Sequence, residues 1–266
     1  MKKVGFIGGG NMAFNMMGGL LKQQPQAAVV FSELSDTRAA WVKEKLRIPQ
    51  IMVNENMPKE AQYIVLAVKP QNYIEIMQAL QPHMTPEHIF ISIAPGFTID
   101  MMKEHLGVST RIVRTMPNTP AQVGAGMSVL SFSKDNYTPE EVEDIQLLFK
   151  ALGEVEVLEE KYMDAVVPIS GSSPAYVYMM IEAMADAGVQ VGLPRKLSYK
   201  LAAQAVLGSA KMVLETGLHP GELKDAVCSP GGTTIEAVAV LEKTGFRSSV
   251  IEAMKACYDK IHQMKK

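Results

Sequence analysis

The stretch KKVGFIGGGNMA at positions 2–13 decides the fold of this chain. An apolar strand (4–7) runs directly into three glycines and then into apolar residues with helical spacing. Gly8 permits a tight strand-to-helix turn, Gly10 lets a pyrophosphate approach the backbone, and Ala13 lets the helix pack closely on the strand. The pyrophosphate would lie at the positive N-terminus of the helix. The stretch therefore predicts a dinucleotide site, the alternative being a glycine-rich turn that binds no ligand.

Strand and helix patterns alternate up to about residue 158. The predicted strands are 4–7, 28–32, 63–67, 89–92, 111–116, 126–131 and 155–158. The predicted helices between them are 12–22, 36–46, 71–81, 99–106 and 139–151. Strands that alternate with crossover helices form a parallel sheet covered on both faces. We therefore predict an α/β protein with a doubly wound, Rossmann-type N-terminal domain over residues 1–160.

The remainder of the chain, 161–266, has helical patterns only and predicts an all-helical C-terminal domain. Ser173 followed by Pro174 is typical of a helix start. Further predicted helices begin at Pro194, Pro220, Thr233 and Phe246. Apolar residues surround the first of these helices on almost every side. Either a partner subunit covers this helix, or it packs between the sheet domain and its own neighbours.

Composition narrows the class of protein. The chain has 266 residues and a net charge of -2, so nothing electrostatic favours nucleic acid or an anionic membrane as a partner. Its two cysteines, Cys228 and Cys257, form neither a disulfide framework nor a C-x-x-C metal pattern. No signal-peptide pattern precedes the first strand, and no apolar run reaches the ~18 residues of a membrane span. We expect a cytoplasmic protein.

Loops that follow the strands are the expected ligand sites of a doubly wound sheet. Three such segments are Ala67-Val68-Lys69-Pro70, Ala94-Pro95-Gly96 and Met116-Pro117-Asn118-Thr119-Pro120, and Asn54 lies in a further loop. Lys69 is the one cation among them and would contact a cofactor or polarise a substrate, unless it is an ordinary surface lysine. Asn118 has an equally plain alternative, since Asn and Pro both favour turns.

A second glycine turn precedes a helix at Cys228-Ser229-Pro230-Gly231-Gly232-Thr233-Thr234. Its two glycines free the backbone, and a threonine at the N-cap adds a hydroxyl, so the segment predicts a second anion-binding helix terminus. A carboxylate is the expected guest. The alternative is a capping threonine after a flexible turn.

The chain lacks several catalytic patterns. It has no G-x-S-x-G, no H-E-x-x-H and no metal-ligand cluster, and its five histidines fall mostly near helix ends or in loops. Acid/base catalysis by histidine and a metal mechanism are therefore disfavoured. Hydride transfer from a nicotinamide to an already protonated, electrophilic substrate needs little more than positioning.

With these residues identified, the chain resembles the pyrroline-5-carboxylate reductases over nearly its whole length. The resemblance rests on GFIGGGNMA (5–13), LAVKPQ (66–71), RTMPNTPA (114–121), SGSSPAY (170–176), Gly-Leu-Pro (192–194), HPGELKDAVCSPGGTTI (219–235) and GFRS (245–248). It implies reduction of the cyclic imine 1-pyrroline-5-carboxylate to L-proline by NAD(P)H, the last step of proline biosynthesis. It also implies a C-terminal domain that interleaves with its partner in a dimer, or in a higher oligomer.

The resemblance also implies site residues by position. Cofactor contacts would come from Gly8, Gly9, Gly10, Asn11, Met12, Asn54, Ala67, Val68, Lys69 and Pro95. Substrate contacts would come from Ser229, Gly231, Gly232, Thr233 and Thr234, with Glu160 nearby. Thr233 is the expected catalytic residue because its hydroxyl would bond the ring nitrogen, although Thr234 offers the same group.

The choice between NADPH and NADH depends on the end of the second strand. Glu33 lies about 20 residues beyond the glycine turn, where an acid binds the ribose 2′-hydroxyl and favours NADH. The polar residues Ser32, Ser35, Thr37 and Arg38 would equally accommodate a 2′-phosphate. The family is usually associated with NADPH, so we expect NADP(H) over NAD(H), with Ser35 and Arg38 at the phosphate.

Two other functions fit the pattern less well. One is a 3-hydroxyacid dehydrogenase, in which Lys200 or Lys211 on the helical domain would do the acid/base work. The other is a non-enzyme that senses dinucleotides or acts as a scaffold and has kept the fold. Turnover of the cyclic imine separates both from the reductase.

Overall fold

A seven-stranded sheet organises the first part of the chain. The computed structural model describes residues 3–264, so the outermost residues of the two predicted domains, 1–2 and 265–266, lie outside it. The strands are β1 (Val4–Ile7), β2 (Val29–Ser32), β3 (Tyr63–Leu66), β4 (Ile89–Ser92), β5 (Arg111–Met116), β6 (Gly126–Phe132) and β7 (Gly153–Val157). Each confirms a strand predicted from the sequence, with shifts of a residue or two at some ends.

The strand order is β2-β1-β3-β4-β5-β6-β7. The first five strands are parallel, but β6 runs antiparallel to β5, and β7 is parallel to β6. The predicted parallel sheet is therefore confirmed for β1 to β5, whereas β6 and β7 run in the opposite direction. The cause is the short connection 117–125, because a parallel crossover takes about a dozen residues or more.

Burial of both faces explains why β1 to β4 are apolar runs. Every residue of these four strands is buried. Alternate side chains enter two separate cores, so that Phe6 packs in one cluster and its neighbour Ile7 in the other. Phe149 joins the first cluster and Phe90 the second. This part of the chain thus has a sizeable core on each side of its sheet.

The helices also follow the predicted patterns. In the sheet region they are α1 (Asn11–Gln23), α2 (Asp36–Leu46), α3 (Met57–Glu60), α4 (Tyr73–Leu80), α5 (Ile99–Leu106), α6 (Pro139–Lys150) and α7 (Met163–Val166). Beyond it they are α8 (Ser173–Gln190), α9 (Arg195–Thr216), α10 (Pro220–Ala226), α11 (Thr233–Lys243) and α12 (Phe246–Met264). The sequence did not predict the short helices α3 and α7.

The chain divides into two compact units. The sheet unit takes in the residues up to Ser172 together with those from Cys257 onward, and the helical unit is Ser173–Ala256. The helical unit buries few side chains: Ala185, Ser198 and Ala202 are the buried ones among its described residues. Gly188 on α8 allows close approach of α9, because a Cβ there would lie 2.7 Å from the Ser198 hydroxyl.

Large apolar side chains of the helical unit remain exposed. Leu214 is 81% exposed, Met179 68% and Leu207 59%, which is far from the state of a core residue. A unit of this size with so little buried apolar surface is poorly stabilised alone. The exposure favours the interpretation that a partner subunit covers these helices.

Candidate active site

The glycine turn lies where the ends of three strands meet. The Gly8 amide donates to the Ser32 carbonyl (2.8 Å), and the Ala67 amide donates to the Ile7 carbonyl (2.8 Å). Gly8 has φ +103°, and a Cβ there would come 2.6 Å from the Ala67 carbonyl oxygen. Only glycine fits this position. Because β2 and β3 lie on opposite sides of β1, the turn is at the switch point of the sheet, where ligands bind in such folds.

Gly10 leaves the start of α1 open. It is the N-cap residue (φ -61°, ψ 179°), and no side chain caps the helix. A Cβ built on Gly10 would meet no atom within 4 Å. The first amides of the helix, at Asn11 and Met12, have no partner within the helix itself. An uncapped, unobstructed helix N-terminus fits a pyrophosphate well.

Gly9 is held by two side chains of opposite charge. Its amide donates to Glu33 Oε2 (2.8 Å), and its carbonyl accepts from Arg38 Nε (2.6 Å). Glu33 Oε1 also accepts from the Ser35 amide (2.9 Å), and Arg38 Nη2 donates to Asn11 Oδ1 (3.2 Å). The guanidinium lies 4.2 Å from the centroid of the Trp41 ring. The sequence placed these two residues near the turn but did not predict their contacts with it.

Two further predicted cofactor residues lie beside the turn. Ser35 caps α2, its hydroxyl accepting from the Arg38 amide (3.3 Å), and it is exposed. Asn54 begins a short helical turn, and its Oδ1 accepts from the Ser32 hydroxyl (2.6 Å) at the end of β2. The hydrogen bond between Ser32 and Asn54 therefore brings the loop of Asn54 to the carboxyl edge of the sheet.

The loops after β3 and β4 complete this edge. Ala67 and Val68 are half-buried, whereas Lys69 and Pro95 are exposed. The Tyr73 hydroxyl donates to the carbonyl of Leu66 (2.7 Å), the last residue of β3 before the first loop. Burial raises the pKa of Tyr73 to about 12. The cofactor residues expected from the sequence thus lie on loops or in the first turns of helices at one edge of the sheet unit.

Glu160 belongs to a charged cluster of the sheet unit. Its Oε1 accepts from the Ile99 amide (2.7 Å) at the start of α5 and from Arg114 Nη1 (3.2 Å). Arg114 is only 2% exposed and also donates to Asp164 Oδ1 (2.7 Å). Sequence reasoning missed this cluster. Its signal was Arg114 within the buried part of strand β5, because a buried charge needs partners.

The side chain of Asn118, in the loop after β5, forms two hydrogen bonds with other segments of the chain. Its amide nitrogen donates to the Ser170 carbonyl (3.1 Å), and its Oδ1 accepts from the Met127 amide (3.0 Å). These contacts give Asn118 a structural role, because they join the loop after β5 to β6 and to residue 170.

The second glycine turn lies in the helical unit. Gly231 has φ +69°, and the Gly232 amide donates to the Ser229 carbonyl (3.0 Å). The prediction of a threonine N-cap is wrong: Gly232 is the N-cap of α11, and Thr233 is the first helical residue. The reason is that Gly232 is the last extended residue before the helix (φ -81°, ψ 169°), and a Cβ there would collide with the Ser229 hydroxyl, so that glycine occupies the N-cap position.

Because the N-cap residue is Gly232 and not a threonine, the start of α11 is uncapped, like the start of α1. No side chain bonds the first amides of α11. Thr233 is exposed and Thr234 half-buried, so both hydroxyls lie next to these amides at a surface. The sheet unit and the helical unit therefore both contain an open helix N-terminus preceded by a glycine turn.

Other features carry less chemistry. Lys211 forms an exposed ion pair with Glu215 (3.3 Å), and Lys200 is also exposed. Within residues 3–264, no three His, Cys, Asp or Glu side chains are arranged to hold a metal ion. Cys228 and Cys257 are free thiols. No helix in the described part of the chain is both long and apolar enough to cross a membrane.

Known proteins match both units. A family model described as pyrroline-5-carboxylate reductase dimerisation matches residues 160–264, and one described as NADP oxidoreductase, coenzyme F420-dependent, matches residues 3–96. The pyrroline-5-carboxylate reductase of Escherichia coli K12 is 47% identical, covering 100% of this chain and 99% of the relative. The chain belongs to the pyrroline-5-carboxylate reductase family.

Solved structures agree with this membership. The pyrroline-5-carboxylate reductase of Coxiella burnetii superposes with a TM-score of 0.92 at 33% identity, covering 100% of this chain and 99% of that one. The Plasmodium falciparum pyrroline carboxylate reductase, described with NADP bound, gives a TM-score of 0.88 at 32% identity over 100% and 98% of the chains. Membership of this reductase family confirms the resemblance drawn from the sequence and argues against a 3-hydroxyacid dehydrogenase or a scaffold.

Proposed function

We propose that this chain reduces 1-pyrroline-5-carboxylate to L-proline by hydride transfer from a nicotinamide dinucleotide, the last step of proline biosynthesis. Full-length identity of 47% to an enzyme with that name is the observation that carries the proposal. The open N-terminus of α1 at Gly10 supports it independently, because the fold needs such an end to hold a pyrophosphate.

The cofactor residues are those at the carboxyl edge of the sheet. The amides of Gly10, Asn11 and Met12 bind the pyrophosphate, and the loops of Asn54, Ala67 to Lys69 and Pro95 line the rest of the dinucleotide. When bound, the reduced nicotinamide supplies the hydride. We further propose that NADP(H) is favoured over NAD(H), because Ser35 and Arg38 offer a hydroxyl and a cation to the 2′-phosphate.

The substrate residues are those of the second glycine turn. The open amides of α11 hold the substrate carboxylate, helped by Ser229, Gly231 and Gly232. Thr233 is the catalytic residue in this proposal, because its hydroxyl forms a hydrogen bond with the ring nitrogen. Thr234 lies next to it in the chain. Protonation of the imine nitrogen already makes the neighbouring carbon electrophilic. These residues therefore need only hold the ring in the orientation that hydride transfer requires. Glu160 adds a carboxylate close to the substrate.

The wider setting is proposed as follows. Residues 1–160 bind the cofactor, and residues 161–266 bind the substrate and form a dimer or a larger oligomer, in line with the dimerisation model matched at 160–264. The exposed apolar side chains of α8 and α9 support self-association.

The reaction uses no metal. The protein works in the cytoplasm without nucleic acid or membrane partners, as the net charge of -2 suggests.

A steady-state assay tests the function. The purified chain is mixed with the cyclic imine and either NADPH or NADH, and the loss of nicotinamide absorbance is followed alongside proline formation. We expect imine-dependent oxidation with both cofactors and a higher kcat/KM with NADPH. Turnover of 3-oxo acids without turnover of the imine would point to a dehydrogenase, and dinucleotide binding without any turnover would point to a sensor.

A further inference from the structure

Two side chains of opposite charge hold the glycine turn. Glu33 holds the amide of Gly9 and Arg38 holds its carbonyl, at 2.8 and 2.6 Å. Among the described side chains, Glu33 and Arg38 form no ion pair with each other. Each is instead held at Gly9, beside the end of β2.

The structure fixes both side chains by more than one contact. Glu33 uses both carboxylate oxygens, one on Gly9 and one on the Ser35 amide (2.9 Å). Arg38 bonds Asn11 (3.2 Å) as well as Gly9 and lies over the Trp41 ring. Both side chains are half-buried, so their charges are screened less than those of exposed residues. Pre-organised groups of this kind discriminate between ligands without first paying a large entropy cost.

The two charges favour different ligands. In doubly wound folds the ribose 2′ position of a dinucleotide lies at the end of the second strand. A carboxylate there accepts hydrogen bonds from a free 2′-hydroxyl and repels a phosphate dianion, whereas a guanidinium attracts the phosphate. Glu33 therefore favours NAD(H), and Arg38 favours NADP(H).

We propose that Glu33 is a specificity-determining residue that limits the preference for NADP(H), so that this chain uses both dinucleotides and the balance between Glu33 and Arg38 sets their ratio. The proposal rests on the proposed function in taking the glycine turn as the dinucleotide site. It goes further in assigning a role to an acid whose side chain is directed at Gly9.

Equilibrium binding tests the proposal without requiring turnover. The dissociation constants of NADP⁺ and NAD⁺ are measured by titration calorimetry for the wild-type chain and for Glu33→Gln. We expect the affinity ratio to move toward NADP⁺ by about tenfold, as removal of one partly screened repulsion implies. Glu33→Asp keeps the charge, and its ratio should stay much closer to that of the wild type than the ratio of Glu33→Gln.

Arg38 supplies the opposite arm of the experiment. Arg38→Gln should move the ratio toward NAD⁺ by about tenfold, and the double variant should return it close to the wild-type value. The matched controls are Glu44→Gln and Lys43→Gln. These two exposed charges lie on α2, the helix that contains Arg38, and do not contact the turn. Both controls should leave the ratio unchanged. Melting curves establish that each variant is folded.

The outcomes separate this proposal from the proposed function. An unchanged ratio in Glu33→Gln, or an equal loss of affinity for both dinucleotides, overturns the specificity role and leaves Glu33 as a structural residue of the turn. If the ratios shift as expected but the cyclic imine is not reduced, the reductase proposal fails while this one stands. Failure of the wild-type chain to bind either dinucleotide overturns both.

Discussion

The two glycine turns have similar backbones and very different surroundings. The turn at Gly8–Gly10 lies against the ends of three buried strands and is held by the charged side chains of Glu33 and Arg38. The turn at Ser229–Gly232 is closed by its own backbone hydrogen bond, and most of its residues are exposed. The comparison teaches that a helix start becomes a pre-organised site only where packing holds it in place.

The difference extends to the two units. The sheet unit packs an apolar core on each face of its sheet, whereas the helical unit buries only Ala185, Ser198 and Ala202 among its described residues. The first turn is therefore supported by the chain's own core. The second turn needs support that the helical unit does not supply, and we expect a second copy of the chain to supply it.

The sharpest way to break the first turn is Gly8→Val. The backbone at φ +103° disfavours any side chain, and a Cβ would lie 2.6 Å from the Ala67 carbonyl oxygen. Strain and overpacking together should lower the free energy of unfolding of the sheet unit by about 2–5 kcal/mol. Urea unfolding measures the loss. Wild-type stability in this variant would mean that the turn tolerates a different conformation.

Thr233→Ala probes the chemistry of the second turn. Loss of one positioned hydroxyl should lower kcat by about 10²-fold, close to 3 kcal/mol. The KM for NADPH should stay near that of the wild type, because Thr233 lies in the helical unit and belongs to the turn that we propose holds the substrate. Thr234→Ala is the matched comparison. If it lowers kcat and Thr233→Ala does not, Thr234 is the residue that bonds the ring nitrogen.

Gly10→Ala separates binding from folding at the first turn. The backbone at φ -61° accepts alanine, and the new Cβ would meet no protein atom within 4 Å. Stability should therefore change little, whereas affinity for NADPH should fall by about 30-fold, or 2 kcal/mol, because the methyl group takes the space of the pyrophosphate. A fluorescence titration and a melting curve test both halves. Unchanged affinity would move the pyrophosphate away from Gly10.

Gly231→Ala should have the smallest effect of the four. Its φ of +69° costs an alanine about 1 kcal/mol, and open space around the Cβ adds no clash. The KM for the imine should rise by a few fold with an unchanged KM for NADPH. An effect as large as that of Gly8→Val would show that the second turn is as closely packed as the first, which would remove the contrast between them.

Much of the fold was predictable because local sequence encodes backbone conformation. Short apolar runs or alternating patterns predicted the seven strands, and Ser173, Pro220 and Phe246 marked helix starts that the structure confirms. The reversal of β6 was missed since strand direction depends on the length and path of the connection 117–125, which local periodicity does not report.

In the candidate site, the conformations of the glycines were easier to predict than the contacts of the side chains. Gly8 and Gly231 adopt the positive φ angles that glycine turns require. The contacts of Glu33 and Arg38 with Gly9, and of Glu160 with Arg114, join residues far apart in the chain. Such pairs form only when strands and loops pack together, so no spacing rule identifies them.

The sequence by itself determined the doubly wound sheet and the two glycine turns, because steric limits on glycine and the periodicity of apolar residues act locally. Its motifs also carried the resemblance to the pyrroline-5-carboxylate reductase family. The tertiary structure alone decided that Gly232 caps α11, that Glu33 and Arg38 hold opposite sides of Gly9, and that β6 reverses direction. These features depend on which distant atoms come within hydrogen-bonding or contact distance, and packing sets those distances.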